Sequence, residues 1–123
     1  MNQTNQRNEK DEIASRSWFV VQTKPGNEHR VETNLSHQEI EVFLPLFETF
    51  QCAQGKLVQK IKPLFPSYLF AKLDIEAHYY KVKWTRGVSK LLGVGSEPIP
   101  ISEKVIRTIK ERTGESNLVR LDD

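Results

Sequence analysis

The feature that most constrains the fold is a short run of apolar and aromatic residues, SYLFAKL at residues 67–73, which the chain enters through two prolines. Proline disfavours helix both at its own position and at the residue before it, so an extended strand is predicted. Alternate side chains of a strand point to opposite faces, which separates Tyr68 and Phe70 from Leu69 and Ala71. The aromatic face has three possible roles: ordinary core, a stacking platform for nucleic acid, or a docking face for another protein.

The remaining patterns predict alternating strands and helices. WFVVQT, with its β-branched and aromatic residues, predicts a strand. Asp74 and Ser102 are good helix N-caps. The predicted elements are a strand at Trp18–Thr23, a helix at Asn27–Gln38, a strand at EVFLPL, a hairpin turning near Gln54-Gly55, the strand SYLFAKL, a helix after Asp74, a strand within GVSKLLGVG, and a last helix between Ser102 and Gly114. This order predicts an α+β sandwich, with a mainly antiparallel sheet flanked by helices and a projecting hairpin.

Length and composition predict a single cytoplasmic domain. The chain has 123 residues, 37% of them hydrophobic, and no apolar run long enough to span a bilayer. A lone Cys52 suits a reducing compartment. Residues 1–15 are polar and start with no secretory signal, so a disordered tail is expected there. We expect the folded domain at residues 16–113 and the start of a linker at residues 114–123.

Positive charge is concentrated in one stretch, from Lys56 to Lys90. It holds eight cations against Asp74 and Glu76, a local net charge of 8 − 2 = +6, whereas the whole chain carries +2. Such a stretch is either a solvated lysine-rich face or a surface that lies near a polyanion, where counterion release favours binding.

The sequence offers little for catalysis. His29, His37 and His78 lack the neighbouring ligands of a metal site, and no cofactor-binding motif appears. One enzyme hypothesis remains: the loop KPGNEHR, with Arg30, could hold an acyl phosphate. However, Arg30 is predicted to lie inside the helix and nothing nearby activates water. We therefore predict no enzyme, no catalytic residue, no cofactor and no metal.

A sheet-surface RNA-binding module is the stronger alternative. Tyr68 and Phe70 resemble the exposed aromatics on a strand of such a module. A platform of this kind also needs aromatics on the first strand, and the middle of that strand offers only Val20, Val21 and Gln22. An apolar concavity for a protein partner therefore fits the same residues at least as well.

Three segments together resemble the N-terminal domain of the NusG family of transcription elongation factors. They are WFVVQTKPGNEHRVETNL, PLFPSYLFAKLD and TRGVSKLLGVGSEPIPIS, in the order and spacing of that family. The resemblance runs from Trp18 to about Arg112, and PLFPxYLF with TRGVS is closest to the specialised RfaH-like paralogues. It implies a monomeric antitermination or elongation module with no membrane partner. Such a module binds RNA polymerase, bridges its DNA cleft and suppresses pausing or termination.

The resemblance implies two contacts with bacterial RNA polymerase. One is a hydrophobic depression that docks on the clamp helices of the largest subunit. Its matching positions are Val20, Gln22, Tyr68, Phe70, Ile106 and Ile109. The other reaches the opposite pincer, formed by the second-largest subunit. The positions in the corresponding short helix are His78, Tyr79 and Tyr80.

A further surface of the family contacts the non-template DNA strand in the transcription bubble. The matching positions are Lys24, Arg30, Asn34, His37 and Arg86, with Arg86 in the firmest motif. Cations at these positions bind phosphates or stack on flipped bases. Asn34 and His37 lie where some paralogues read a specific sequence.

Two departures from the family bear on regulation. The family continues into a linker and a KOW-type C-terminal domain, whereas this chain stops at Asp123, inside the expected linker. RfaH-like proteins mask the polymerase site partly through a glutamate just before the P-L-F motif, where this chain has Lys62. We predict an operon-specific paralogue. The alternatives are a housekeeping NusG N-terminal domain and, from another class, the sheet-surface RNA-binding module.

Overall fold

The computed structural model describes residues 15–113 and 118–120. Residues 1–14 of the predicted N-terminal tail, the expected stop at Gly114 and most of the linker lie outside these ranges. The described chain forms three helices and nine strands. The helices are α1 (Glu28–His37), α2 (Ile75–Lys83) and α3 (Glu103–Thr113), and the strands are β1 (Ser17–Thr23), β2 (Glu41–Phe43), β3 (Leu46–Ala53), β4 (Lys56–Pro63), β5 (Tyr68–Leu73), β6 (Val88–Leu91), β7 (Gly93–Val94), β8 (Glu97–Pro98) and β9 (Leu118–Arg120). The α+β prediction is confirmed.

The central sheet has four strands in the order β2-β5-β1-β6, and every pairing is antiparallel. The predicted strand SYLFAKL lies in the interior of this sheet, between β2 and β1. Its register with β1 pairs Phe70 with Val20 and Tyr68 with Gln22. Because directly paired residues project to the same face, Phe70 lies beside Val20 and Tyr68 lies beside Gln22 on one face of the sheet.

The two faces of the central sheet are covered differently. Leu69 and Ala71 face α1 and α2 in the main core, together with Val31, Leu35 and Val82. The opposite face packs against α3 in a smaller cluster, formed by Trp18, Phe43, Phe70 and Ile106. The predicted alternation along β5 is therefore confirmed, and Leu69 and Ala71 do supply the helix-covered core.

Helix ends follow the predicted caps. The Asp74 carboxylate accepts a hydrogen bond from the Glu76 backbone N–H at 3.1 Å, and the Ser102 hydroxyl accepts one from the Lys104 N–H at 3.0 Å. Each cap satisfies one of the donors that a helix start leaves unpaired. No helix in the described part of the chain is long and apolar enough to cross a membrane.

The predicted hairpin is confirmed, and it turns at Gln54-Gly55. Both turn residues have positive φ (51° and 75°), as a two-residue turn matching the strand twist requires. From Phe50 to Lys62 every side chain is exposed. The hairpin therefore projects from the body.

Three local predictions differ from the structure. EVFLPL is not one strand, because Pro45 separates β2 from β3. GVSKLLGVG continues beyond β6 into a small β7–β8 hairpin. Residues Leu118–Arg120 were expected in a linker, yet their backbone forms β9, which pairs in parallel with β3.

Candidate docking and nucleic-acid interfaces

The uncovered end of the α3 side of the sheet carries Gln22 and Tyr68. Both side chains are half-buried, and the Gln22 amide donates a hydrogen bond to the Tyr68 hydroxyl at 3.2 Å. Val20, also half-buried, lies next to them along β1. Three of the six positions expected in a docking depression thus share one partly accessible surface.

Phe70 and Ile106 are not exposed in a depression, which corrects the expectation for them. They are only 5% and 2% exposed, because α3 closes over this part of the sheet. The Phe70 ring stacks on Phe43, with 5.9 Å between ring centroids. These two residues support the surface from beneath, and substituting either one would test stability before binding.

A groove beside α3 extends the accessible surface, and its lining was missed in the sequence. It has a volume of about 290 Å³ and is lined by Leu64, Thr108, Ile109 and Arg112. Phe65, 39% exposed, stands edge-on against Phe70 with 5.9 Å between centroids. Leu64 and Phe65 precede β5 and lie between Pro63 and Pro66. The prolines indicated a structural role for this segment, so the exposure of its side chains was not predicted. Ile109, which was predicted, is half-buried.

The same geometry argues against the RNA-binding platform. Base stacking on a sheet surface needs exposed rings on adjacent strands. Here Phe70 is buried, and its partner across the strand is the aliphatic Val20. Only Tyr68 remains partly accessible, and it is engaged by Gln22.

His78 is also not a surface contact, in contrast to its expected role. It is 7% exposed, and its Nδ1 accepts a hydrogen bond from the Asp74 backbone N–H at 3.1 Å. The side chain therefore helps to close the first turn of α2. Its neighbours Tyr79 and Tyr80 stand edge to face with 5.0 Å between centroids, and Tyr80 is 69% exposed.

The predicted nucleic-acid residues converge on the turn between α2 and β6, at residues 85–87. The Lys24 backbone N–H donates to the Gly87 carbonyl at 2.8 Å, and the Asn34 side-chain amide donates to the Arg86 carbonyl at 3.2 Å. Gly87 has φ of +96°, and a Cβ there would stand 2.9 Å from Val31 Cγ2. The absence of a side chain at Gly87 thus lets α1 approach the turn. The hydrogen bond from Asn34 holds the Arg86 backbone in place.

Helix α1 brings the other predicted residues to the same region. Arg30, Asn34 and His37 are spaced i, i+4, i+7, which places them along one stripe of the helix. The Arg30 Cδ would lie 3.5 Å from a Cβ on Gly87, whereas Arg30 and His37 are themselves exposed. The structure therefore brings Lys24, Arg30 and Arg86 together around one turn. Asn34 acts here as a positioning residue for the Arg86 backbone.

The acyl-phosphate hypothesis finds no support in the loop before α1. The Lys24 N–H is bonded to Gly87, and the Asn27 N–H donates to the Lys24 carbonyl at 3.0 Å. These donors are occupied within the protein and do not form an open anion cradle. In the part of the chain that the structure describes, no three His, Cys, Asp or Glu side chains are grouped as metal ligands.

The basic stretch of the sequence divides between separate surfaces. Lys56, Lys60 and Lys62 alternate along β4, so they share one face of the hairpin. Lys72 lies on the α3 side of the sheet, where its ammonium group is 3.5 Å from the Glu103 carboxylate. Arg86 lies at the turn described above. The local charge of the sequence is thus not one continuous patch.

The described chain is an α+β domain with a partly apolar, partly accessible surface on one side of a four-stranded sheet and a cationic turn at the end of that sheet. The model of the family described as transcription termination factor nusG matches residues 16–110. The chain belongs to the NusG family, which confirms the resemblance seen in the sequence.

Individual relatives agree with this assignment. The chain is 29% identical over 104 residues to the transcription termination/antitermination protein NusG of Rickettsia conorii, covering 76% of this chain and 54% of that protein. It is 28% identical over 113 residues to the NusG protein of Thermus thermophilus, covering 79% and 61%. A solved structure of Thermotoga maritima NusG, concerned with domain interaction, has the same fold, with a TM-score of 0.58 and 21% identity over 80% of this chain and 58% of that one. The chain therefore spans little more than half the length of these proteins.

Proposed function

We propose that this chain is the polymerase-binding module of a transcription elongation and antitermination factor. The observation that carries the proposal is the accessible apolar surface beside α3, whose lining residues other than Arg112 lie within the segment matched to the NusG family. Relatives of the chain are named transcription termination/antitermination proteins. The module acts by binding and needs no catalytic group.

The proposed docking patch consists of six residues from three parts of the chain. They are Val20, Gln22, Leu64, Phe65, Tyr68 and Ile109, with Phe70 and Ile106 beneath them. A partly apolar concavity with a few polar groups suits the tip of a helical hairpin, which inserts its apolar side chains into the groove. The proposed occupant is the clamp-helix tip of the largest subunit of RNA polymerase.

A second contact completes the bridge across the DNA cleft. Tyr79 and Tyr80 on α2 are proposed to touch the pincer of the second-largest subunit, without the buried His78. A rigid module fixed to both pincers opposes opening of the clamp and so suppresses pausing. The cationic turn, with Lys24, Arg30, His37 and Arg86, is proposed to contact the non-template DNA strand.

A pair of matched variants tests the docking proposal. Ile109→Ser removes an apolar side chain from the patch, and Leu57→Ser removes one of similar size from the exposed hairpin. We expect Ile109→Ser to weaken binding to core RNA polymerase at least about tenfold, because central apolar anchors dominate such interfaces. Leu57→Ser should bind like the unaltered chain. Near-UV circular dichroism of both variants checks folding, and equal binding by two folded variants would refute the docking patch.

We propose that the module serves one operon or a few operons, on the strength of its PLFPSYLF and TRGVS segments. A housekeeping role is the second candidate, favoured by relatives that all carry the name NusG. Nascent-transcript profiling of a deletion strain separates the two. A change confined to one operon supports the first candidate, and changes across the genome support the second.

A further inference from the structure

Trp84 is a large aromatic residue that the docking contacts leave unused. It is 75% exposed at the end of α2, where its backbone N–H bonds the Tyr80 carbonyl at 3.0 Å. The other tryptophan, Trp18, is 3% exposed in the α3 cluster. Single exposed apolar side chains are common on protein surfaces, so a binding role for Trp84 depends on what surrounds the indole.

The surroundings of Trp84 are cationic. It lies in an open groove of about 270 Å³, and the described residues that line this groove include three cations and no acid. The lining residues are Lys24, Lys83, Trp84, Thr85, Arg86, Gly87, Val88 and Ser89. The groove therefore attracts a polyanion. That ligand must also fit against the flat indole ring at the wall of the groove.

Lys83 is the cation that lies against the indole ring. Its ammonium nitrogen lies 5.6 Å from the ring centroid of Trp84 and 5.6 Å from that of Tyr79. A cation over two rings is attracted to them and supplies positive charge next to the stacking surface.

We propose that Trp84 stacks on an unpaired base of single-stranded DNA while Lys24, Lys83 and Arg86 bind the flanking phosphates. Stacking requires an open base face, which a duplex hides between its neighbouring base pairs. Stacking on indole tolerates any base, so the contact supplies affinity with little sequence preference. The choice of DNA as the strand rests on the proposed contact with the transcription bubble. The direct involvement of Trp84 and Lys83 goes beyond that contact.

Fluorescence tests the stacking directly, since Trp84 is exposed and Trp18 is buried. The probes are a dT oligonucleotide, a duplex of equal length and an rU oligonucleotide, added to the 123-residue chain at low salt. We expect dT to quench the emission of the unaltered chain. Trp84→Phe, which retains only the Trp18 emission, should show no quenching and yet bind labelled dT within about threefold.

The affinity arm uses alanine variants at two exposed aromatic residues. Trp84→Ala should weaken dT binding about 5- to 150-fold, the range expected for loss of one stacked base. Phe50→Ala removes an exposed ring on the β3–β4 hairpin that does not line the groove, and it should bind within about twofold of the unaltered chain. Circular dichroism confirms that both variants fold.

Three results would overturn the inference: unchanged dT affinity in Trp84→Ala, equal binding and quenching by the duplex, or markedly tighter binding of rU than of dT. The assay contains no polymerase, so it is independent of the docking test with Ile109→Ser. Unchanged polymerase binding by Ile109→Ser, with intact dT quenching of the unaltered chain, would refute the docking proposal alone. Weakened polymerase binding by Ile109→Ser, without dT quenching of the unaltered chain, would refute the stacking alone.

Discussion

At the scale of single residues, Gly87 has the strictest requirement. Its φ of +96° lies in the region that side chains disfavour, and a Cβ would stand 2.9 Å from a methyl group of the fully buried Val31. We expect Gly87→Ala to lower the free energy of unfolding by about 2–4 kcal/mol, through backbone strain and displacement of core packing. Urea denaturation measures this loss.

Gly26→Ala is the matched control for that variant. Gly26 also has a positive φ, of +77°, but nothing lies within 4 Å of the site of its Cβ. Its substitution should cost only the backbone strain, about 1–2 kcal/mol. Equal losses in the two variants would show that the contact between α1 and the turn contributes nothing beyond strain.

At the scale of elements, the β3–β4 hairpin is expected to be separable from the core. No residue of Phe50–Gln59 belongs to either buried cluster. Deleting residues 50–53 and 56–59 leaves Gln54-Gly55 between Thr49 and Lys60, which are partners in the native register. We expect the shortened chain to keep its near-UV circular dichroism and to unfold within about 1 kcal/mol of the original.

A second deletion tests whether register matters in that hairpin. Removing residues 50–53 and 56–58 instead opposes Thr49 to Gln59, a shift of one residue that exchanges the two faces of β4. This variant should unfold at lower urea concentration than the in-register one. If both deletions abolished cooperative unfolding, the hairpin would be part of the folding unit.

The same elements show which features of the fold can be predicted from the sequence. Period-two alternation correctly assigned Leu69 and Ala71 to the helix-covered face, since alternation is a local property of a strand. Burial of Phe70 depends on α3, which lies more than thirty residues further along the chain. Periodicity identifies the face on which a side chain lies, but it cannot tell which distant element covers that face.

His78 and β9 illustrate the same limit in other ways. His78 was expected on the surface because its helix aligns with a contact segment, yet a hydrogen bond to the Asp74 backbone keeps it buried. Strand β9 has three residues and gains its partners only by pairing in parallel with β3. A three-residue parallel edge strand has no recognisable sequence pattern. The helix caps at Asp74 and Ser102 do have one, because N-cap positions favour these residue types.

At the scale of the whole molecule, cations lie on separate surfaces, and salt dependence can distinguish their roles. The hairpin carries Lys56, Lys60 and Lys62 along one face of β4, whereas Lys83 and Arg86 line the groove beside Trp84. If only the overall charge attracted DNA, removing three hairpin lysines would weaken binding more than removing two groove cations. If the groove holds the strand, the order is reversed.

We therefore expect opposite behaviour from two sets of glutamine variants in binding a six-nucleotide dT strand. For single strands, the slope of log K against log salt is about −0.7 for each phosphate that is neutralised. The double variant Lys83→Gln, Arg86→Gln should reduce the magnitude of the slope by about 1.4, because two phosphate contacts are lost. The triple variant at the hairpin lysines should leave the slope unchanged. Fluorescence anisotropy across a salt series measures both, and a larger reduction in the triple variant would place the strand on the hairpin instead of the groove.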